Sequence, residues 1–302
     1  MSVRKRPAAR PDVHLVGAPN PNAAASAPEH PVQWSRPRTH TIVVTSGKGG
    51  VGKSNIAANL AIALGERGAR VLLLDGDLAQ ANLDLLLGVH PRWDMRHVLA
   101  GQKTLDEIVV NGPANVRLVP AASGVPELAD LDDYRRELLM RSLSTLDQDA
   151  DVLLIDTPTG VSRQTTEFCR LANEVLVVTT PEMPAFSDAY ALVKLLQQQG
   201  GLARAPRLVV NMATGAEDGD DTAHRIRLVA RRFLQIELDC LGVVPFDPHV
   251  PRAVRAQEAV LSAFPKSPSA GAYRALAARL WKPAPQGPSA DVRTDTALRL
   301  EA

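Results

Sequence analysis

From residue 41 to about residue 281, short apolar runs alternate with longer segments whose apolar positions recur every three or four residues. TIVVTS is followed by NIAANLAIALGERG, RVLLLD by a loop, VRLVPA by DDYRRELLMRSLSTL, and DVLLID by RQTTEFCRLA. The rhythm continues with EVLVVTT before AFSDAYALVKLLQQQ, RLVVN before TAHRIRLVARRFL, and LGVVP before a last helix around residues 269–281. Period-two or continuous apolar runs of this length read as strands, and the longer periodic segments as helices. Seven strands interleaved with helices predict an α/β fold, a doubly wound, mostly parallel sheet with helices on both faces. VLLLD, VLLID and EVLVVTT are apolar at every core position, as central strands covered on both sides must be. In the first helix Ile56, Leu60 and Leu64 repeat at four-residue spacing beside Ala57, Ala61 and Ala63, small residues that bring it close to the sheet.

The two ends break this rhythm. Residues 1–39 are rich in Pro, Ala and Asn, and residues 283–302 are polar and contain prolines, so both are predicted to be disordered tails around one domain spanning 40–282. With 302 residues and 45% apolar content, that domain can bury a full core. Lys and Arg number 34 against 33 Asp and Glu, so any attraction to nucleic acid or a membrane needs a local cluster. Two clusters qualify. Arg225, Arg227, Arg231 and Arg232, with Arg252 and Arg255, form either a patch for non-specific DNA or a solvated helix face. The segment AYRALAARLW puts Tyr273, Leu276, Leu280 and Trp281 on one face, suited to a bilayer or to packing on its own domain. Cys169 and Cys240 lack metal or redox spacing and read as buried apolar residues in a reducing compartment. No apolar run reaches signal-peptide or membrane-span length, which leads us to expect a cytoplasmic protein.

The chemistry concentrates at SGKGGVGKS. Gly47, four residues, then Gly52, Lys53 and Ser54 fit G-x-x-x-x-G-K-[ST], with a predicted strand before and a helix after. Gly47, Gly49, Gly50 and Gly52, with Val51 between the last two, let backbone N–H groups turn inward around phosphates, and the helix N-terminus adds partial positive charge. Lys53 reaches the outer phosphates, and Ser54 offers a hydroxyl to Mg²⁺. Asp156 ends a central strand, where it can hold a Mg²⁺-bound water. Asp75 and Asp77 lie just past another central strand. Two carboxylates beside a triphosphate repel it unless metal or water intervenes, so one is read as holding metal-bound water and the other as facing the attacking water.

KGGVGKS carries a second lysine, Lys48, just inside the loop. In this it resembles the deviant Walker A signature of the MinD/ParA ATPases, and DGDLAQANLDLLLG resembles that family's second acidic motif. RLVPAASG, SDAYALVKLL, RRFL followed by LGVVPFDPHVPRAVRAQ, and AFPKSP are similar to the flagellar-number regulators of the FlhG/FleN type. The resemblance implies the MinD-like (SIMIBI) P-loop fold, ATP and Mg²⁺ as ligands, and an ATP-sandwiched homodimer. Lys53 would then act in cis and Lys48 in trans on the partner's nucleotide, a device comparable to an arginine finger. Asp77 would drive hydrolysis, Asp75 and Asp156 would serve the metal, and Asn211 with Pro245 to Asp247 would line the adenine pocket.

By the same resemblance the protein is a slow, nucleotide-timed switch acting on flagellar regulatory or assembly proteins, such as a transcription activator or C-ring proteins, in the cytoplasm or at the inner membrane or cell pole. The sequence departs from that pattern in several places. It lacks a DQA-type motif, through which many relatives engage the FlhF-type GTPase, and it ends in a polar tail where relatives often carry a membrane-targeting helix. Gly76, Ala79 and Gln80 stand where relatives usually have Ala and Gly-Leu, and Pro158 and Arg163 alter the loop after Asp156. Two alternatives stay open: a ParA-like partition ATPase that binds DNA, and a nucleotide-gated scaffold with negligible turnover.

Overall fold

The computed structural model describes residues 39–78, 81–122, 138–139, 141–143 and 150–282. Both tails, Ala79 and Gln80, and most of the helix expected over 132–146 lie outside the described residues.

Eight strands form one sheet in the order β3-β4-β2-β5-β1-β6-β7-β8. They are β1 (His40–Thr45), β2 (Val71–Asp75), β3 (Val110–Asn111), β4 (Val116–Val119), β5 (Val152–Asp156), β6 (Glu174–Thr179), β7 (Arg207–Ala213) and β8 (Asp239–Pro245). Seven are the predicted apolar runs, and all of these pair in parallel. The eighth, β3, is a two-residue antiparallel edge strand with no alternation long enough to read in sequence. The loop expected after β2 contains three short helices, Leu83–Leu87, Met95–Leu99 and Leu105–Ile108. Each is only about one turn long, too short to show a helical period.

Successive side chains of the central strands enter opposite layers. Ile42, Val44, Leu73 and Leu154 pack against helix α1 (Lys53–Glu66) and the helix Pro268–Leu280, while Val43, Leu72, Leu153 and Ile155 face Phe168, Leu192 and Ile226 on the other side. Burial on both faces explains why these strands are apolar throughout. β1 lies between β5 and β6; the chain leaves β1 toward β2 on one side and later passes from β5 to β6 toward the other, so a crevice opens at the carboxyl ends of the strands there.

The last helix is committed to this core. Pro268 opens it, Ser267 caps it by accepting from the Ala270 N–H at 3.3 Å, and Tyr273, Leu276 and Ala277 are buried. Arg274 clamps it to α1 through two bonds to Glu66, at 2.7 and 2.9 Å. Of its two sequence readings, packing on its own domain is the one realised. Among the described residues no helix is long and apolar enough to cross a membrane. Cys169 is fully buried in the helix Arg163–Leu171, where burial pushes its thiol up to about 12, and Cys240 is half-buried.

Candidate active site

The loop from Ser46 to Gly52 joins β1 to α1, and most of its glycines answer specific steric demands. Gly50 and Gly52 have φ of 81° and 86°, the left-handed region that disfavours side chains. A Cβ on Gly52 would sit 2.3 Å from Nδ2 of Asn211, and one on Gly47 would sit 2.3 Å from the Asp188 carbonyl oxygen. The loop is therefore wedged against two neighbouring segments. Gly49 is the exception among the four. It is exposed and borders the crevice, but a Cβ there would meet nothing within 4 Å, so neither a clash nor a left-handed φ requires glycine at that position. Asn211 fixes the loop from behind, its amide donating to the Val51 carbonyl at 2.8 Å. Gly52 then starts α1, accepting from the Ile56 N–H at 2.9 Å and leaving the first-turn N–H groups facing the crevice.

Behind the loop stands a buried ion pair. Lys53 Nζ lies 2.6 Å from Asp156 Oδ1, with side chains 6% and 2% exposed, and reaches Ser54 Oγ at 3.4 Å. β2 and β5 run in register with Asp75 opposite Asp156, so the two carboxylates end adjacent strands. Burial, and then the nearby Asp156 carboxylate, push the Asp75 carboxyl up to about 8. Burial also raises Asp156, with Lys53 pulling the other way. Asp75 organises the turn that follows it. Its oxygens accept from the N–H groups of Asp77 at 3.2 Å, Asn82 at 3.0 Å and Leu83 at 3.2 Å. Asp77 itself is half-buried and lines the crevice.

Lys48 is placed differently from Lys53. Its Nζ pairs with Glu182 Oε2 at 3.0 Å, and the two side chains are 35% and 69% exposed. The crevice that Lys48 borders measures about 610 Å³ and follows the loop between Ser46 and Asn55, with Asp77 on one wall. Its remaining wall was not foreseen from sequence. Asn82, Leu85 and Leu86 come from the helix Leu83–Leu87 and the residue before it, Thr159 from the loop after Asp156, and Met212 from β7. Val254, Arg255 and Gln257 come from the end of the helix His249–Arg255 and the residues just after it. Only the first two groups had a sequence signal, their nearness to the acidic residues. Met212 and Gln257 hold φ of 58° and 57°, backbone states with no residue signature here.

Two residues expected around an adenine make bonds within the protein. Asn211 turns its amide to the loop backbone, and Asp247 is enclosed, accepting from Ser269 N at 3.0 Å, Ser269 Oγ at 2.7 Å and His249 N at 2.9 Å. Burial acts against ionisation of Asp247, but the bonds from Ser269 and His249 prevail and hold its carboxyl well below the usual range. Pro245, the last residue of β8, is half-buried. Of the arginines read as either a patch or a solvated face, Arg225, Arg227, Arg231 and Arg232 are exposed on the helix Ala216–Leu234, and Arg252 and Arg255 lie on the helix His249–Arg255. Arg225 stacks on Phe186 at 5.4 Å, Arg231 bonds Glu237 at 2.6 and 2.8 Å, and Arg252 stacks on Phe264 at 5.3 Å. Arg255 borders the crevice.

The crevice fits a Mg²⁺-nucleotide on its own geometry. Its cradle excludes side chains at Gly47 and Gly52, and a lysine, a hydroxyl and two carboxylates converge at one end. Among the described residues no group of three or more His, Cys, Asp or Glu is spaced to hold an ion unaided.

The family described as NUBPL iron-transfer P-loop NTPase (ParA) matches residues 38–281. Antiactivator FleN of Pseudomonas aeruginosa is 41% identical over 261 residues, covering 86% of this chain and 90% of that protein. The flagellum site-determining protein YlxH of Helicobacter pylori is 34% identical over 227 residues, 73% of this chain and 74% of its own. The structure of the septum site-determining protein MinD complexed with Mg-ADP from Pyrococcus horikoshii superposes with a TM-score of 0.66 at 29% identity, covering 79% of this chain and 94% of that one.

Proposed function

This chain belongs to the MinD/ParA family of P-loop ATPases, and from that premise we propose that it is a Mg²⁺-ATP-dependent dimerising ATPase, a nucleotide-timed switch that regulates flagellar number or placement. The observation that carries the switch is the contrast between its two loop lysines. Lys53 is buried against Asp156 beneath the loop, whereas Lys48 stands at the mouth on an exposed partner, Glu182. One triphosphate cradle needs one lysine. An exposed second lysine on the same loop is suited to a nucleotide held by another copy.

The chain's own groups divide the work. The loop N–H groups and the start of α1 hold the phosphates, and Lys53 exchanges Asp156 for the outer phosphate oxygens. Ser54, Asp75 and Asp156 would hold Mg²⁺, whose charge would offset that of the phosphates. Asp77 accepts a proton at its carboxylate from the attacking water. Lys48 leaves Glu182 for the partner's phosphates, where its charge stabilises the negative charge developing on the transferred group. Leu85, Met212 and Val254, 44%, 39% and 39% exposed, form an apolar rim beside it that a second copy would cover.

The flagellar role is supported by the likeness to the Helicobacter flagellum site-determining protein and to the Pseudomonas antiactivator, the latter making a transcription activator the first partner to test. A ParA-like role in binding DNA is the second reading, since Arg225, Arg227, Arg231 and Arg232 are all exposed on the helix Ala216–Leu234; ATP-dependent, salt-sensitive DNA retardation would favour it. The switch is tested by sedimentation of Asp77→Ala with ATP and with ADP: a dimer with ATP only is expected, and the same monomeric mass in both refutes it. The cellular role is tested by counting flagella in a strain lacking the gene. Extra or misplaced flagella are expected, and unchanged flagella refute the role.

A further inference from the structure

Gly76 lies between the two acids of the turn, and both its backbone groups are engaged. Its N–H donates to the Asp156 carbonyl at 2.7 Å, and its carbonyl accepts from Nε2 of Gln164 at 3.2 Å. Gln164 is 7% exposed and is the second residue of the helix Arg163–Leu171, whose start is fixed by Ser162 accepting from the Thr165 N–H at 3.0 Å. One turn on, Phe168 is fully buried and presses on the same spot. A Cβ on Gly76 would come 3.2 Å from the Phe168 ring and 2.6 Å from the Asp156 carbonyl oxygen. The next peptide N–H, that of Asp77, is held by Asp75 at 3.2 Å. The backbone on which Asp77 is mounted is thus gripped from β5, from Asp75 and from the Arg163–Leu171 helix, while its side chain lies in the crevice.

We propose that Gln164 is a positioning residue for hydrolysis: its amide holds the Gly76 carbonyl so that the Asp77 carboxylate is presented to the attacking water. The inference rests on the role given to Asp77 under Proposed function. Gln164 is buried and does not line the crevice, so its loss should act mainly on turnover. A displacement of about 1 Å at a reacting group costs on the order of 10²-fold in rate, whereas Asp75 and Asp156 are held in addition by their own strands and bonds, so the affinity should change far less than the rate. The same bond links the helix that follows the Asp156 loop to the acid that follows β2. A contact that shifts this helix would therefore change the rate at Asp77 directly.

The test uses the full chain with Gln164→Met, which keeps the volume and removes the donor, and Gln164→Glu. We expect kcat to fall about tenfold to a hundredfold in Gln164→Met, with KM and the affinity for a non-hydrolysable ATP analogue within about twofold of the parent. Gln164→Glu adds a readout that a merely structural role would not move. A buried Glu is protonated over a raised range and can then donate to the Gly76 carbonyl, so its kcat relative to the parent should recover as pH is lowered. Adding Gln164→Met to Asp77→Ala should slow turnover no further. Parental kcat in Gln164→Met, or a loss confined to melting temperature and affinity, overturns the inference while leaving Asp77 in its role. Parental kcat in Asp77→Ala overturns both.

Discussion

Lys48 Nζ and Glu182 Oε2 are 3.0 Å apart, joining the phosphate loop to the start of the helix Met183–Gln199. In the single chain the exposed lysine therefore has a resting partner that it must leave to act on another copy. An exposed pair of this kind is worth about 0–1 kcal/mol. Because two such pairs open per dimer, Glu182→Gln should lower the protein concentration needed for ATP-dependent dimerisation by no more than about thirtyfold, as read by sedimentation at saturating ATP. Lys48→Ala should retain nucleotide binding and lose the dimer. A Glu182→Gln variant that dimerises less readily than the parent would contradict this account.

Lys53 is a different case because its partner is buried. Lys53→Ala removes the phosphate ligand and strands Asp156, 1% exposed, among apolar strands. Removing one member of a buried pair costs on the order of 3–5 kcal/mol unless the survivor neutralises. Asp156, already raised by burial, should take up a proton. We expect undetectable ATP binding by titration, with a melting temperature that falls as pH rises. Asp156→Asn combined with Lys53→Met should recover much of the stability and none of the binding.

The raised carboxyl of Asp75 sets a pH dependence whose sign follows from linkage. At about 8 in the folded chain against about 3.9 unfolded, the folded state holds a proton that the unfolded state has lost throughout the interval between them. Stability contributed by this group is therefore complete below about pH 4 and declines as pH rises toward 8, at up to about 1.4 kcal/mol per unit. Chemical denaturation of the nucleotide-free protein at pH 5, 6.5 and 8 should show that decline, and Asp75→Asn should flatten it. Because a metal-bound water requires the ionised form, Mg²⁺-ATP binding near pH 7 should release protons. Calorimetry in buffers of different ionisation enthalpy reads that release.

The sheet, its central strands and the phosphate loop were legible in the sequence because each has a local signature. The strands are apolar runs of five to seven residues, and the loop is a spacing of glycines and a lysine. The short helices after β2 and the edge strand β3 were not, since elements of one turn or two residues carry no period. The wall of the crevice opposite the loop was illegible for a different reason. Met212 and Gln257 are brought there by left-handed backbone at bends that neither Gly nor Asn marks, and Arg255 only by the packing of distant segments. The bond between Gln164 and Gly76 spans 88 positions, and no pattern within either segment announces it.

Asn211 tests how the loop is supported. Its amide donates to the Val51 carbonyl, and the same amide fills the space that a side chain on Gly52 would need. A buried hydrogen bond of this kind contributes about 0.5–1.5 kcal/mol, so Asn211→Ala should weaken ATP binding about tenfold or less. Gly52→Ala should do more damage, because it combines a left-handed φ with a clash against that amide. A combined Gly52→Ala, Asn211→Ala variant removes the clash but not the backbone strain. It should bind better than Gly52→Ala alone and still fall short of the parent.

Asp247 separates a role in base recognition from a role in the fold. Its side chain is fully enclosed and its oxygens are committed to His249 and Ser269, the latter in the first turn of the helix Pro268–Leu280. Through that helix and the Arg274–Glu66 clamp, Asp247 is tied to α1, whose first turn faces the nucleotide. Its carboxyl is held low in the folded chain. The stability it contributes is therefore present above the unfolded value of about 3.9 and is lost as pH falls below that value toward the folded one. Asp247→Asn keeps the shape but halves the acceptor capacity of the group, leaving buried donors without partners at a cost of about 1–3 kcal/mol. We expect a lower melting temperature at pH 7, a smaller loss of stability on acidification than in the parent, and an unchanged preference for ATP over GTP. A variant that keeps parental stability while losing that preference would place Asp247 in the adenine pocket, and the helix Pro268–Leu280 would then need another anchor at its start.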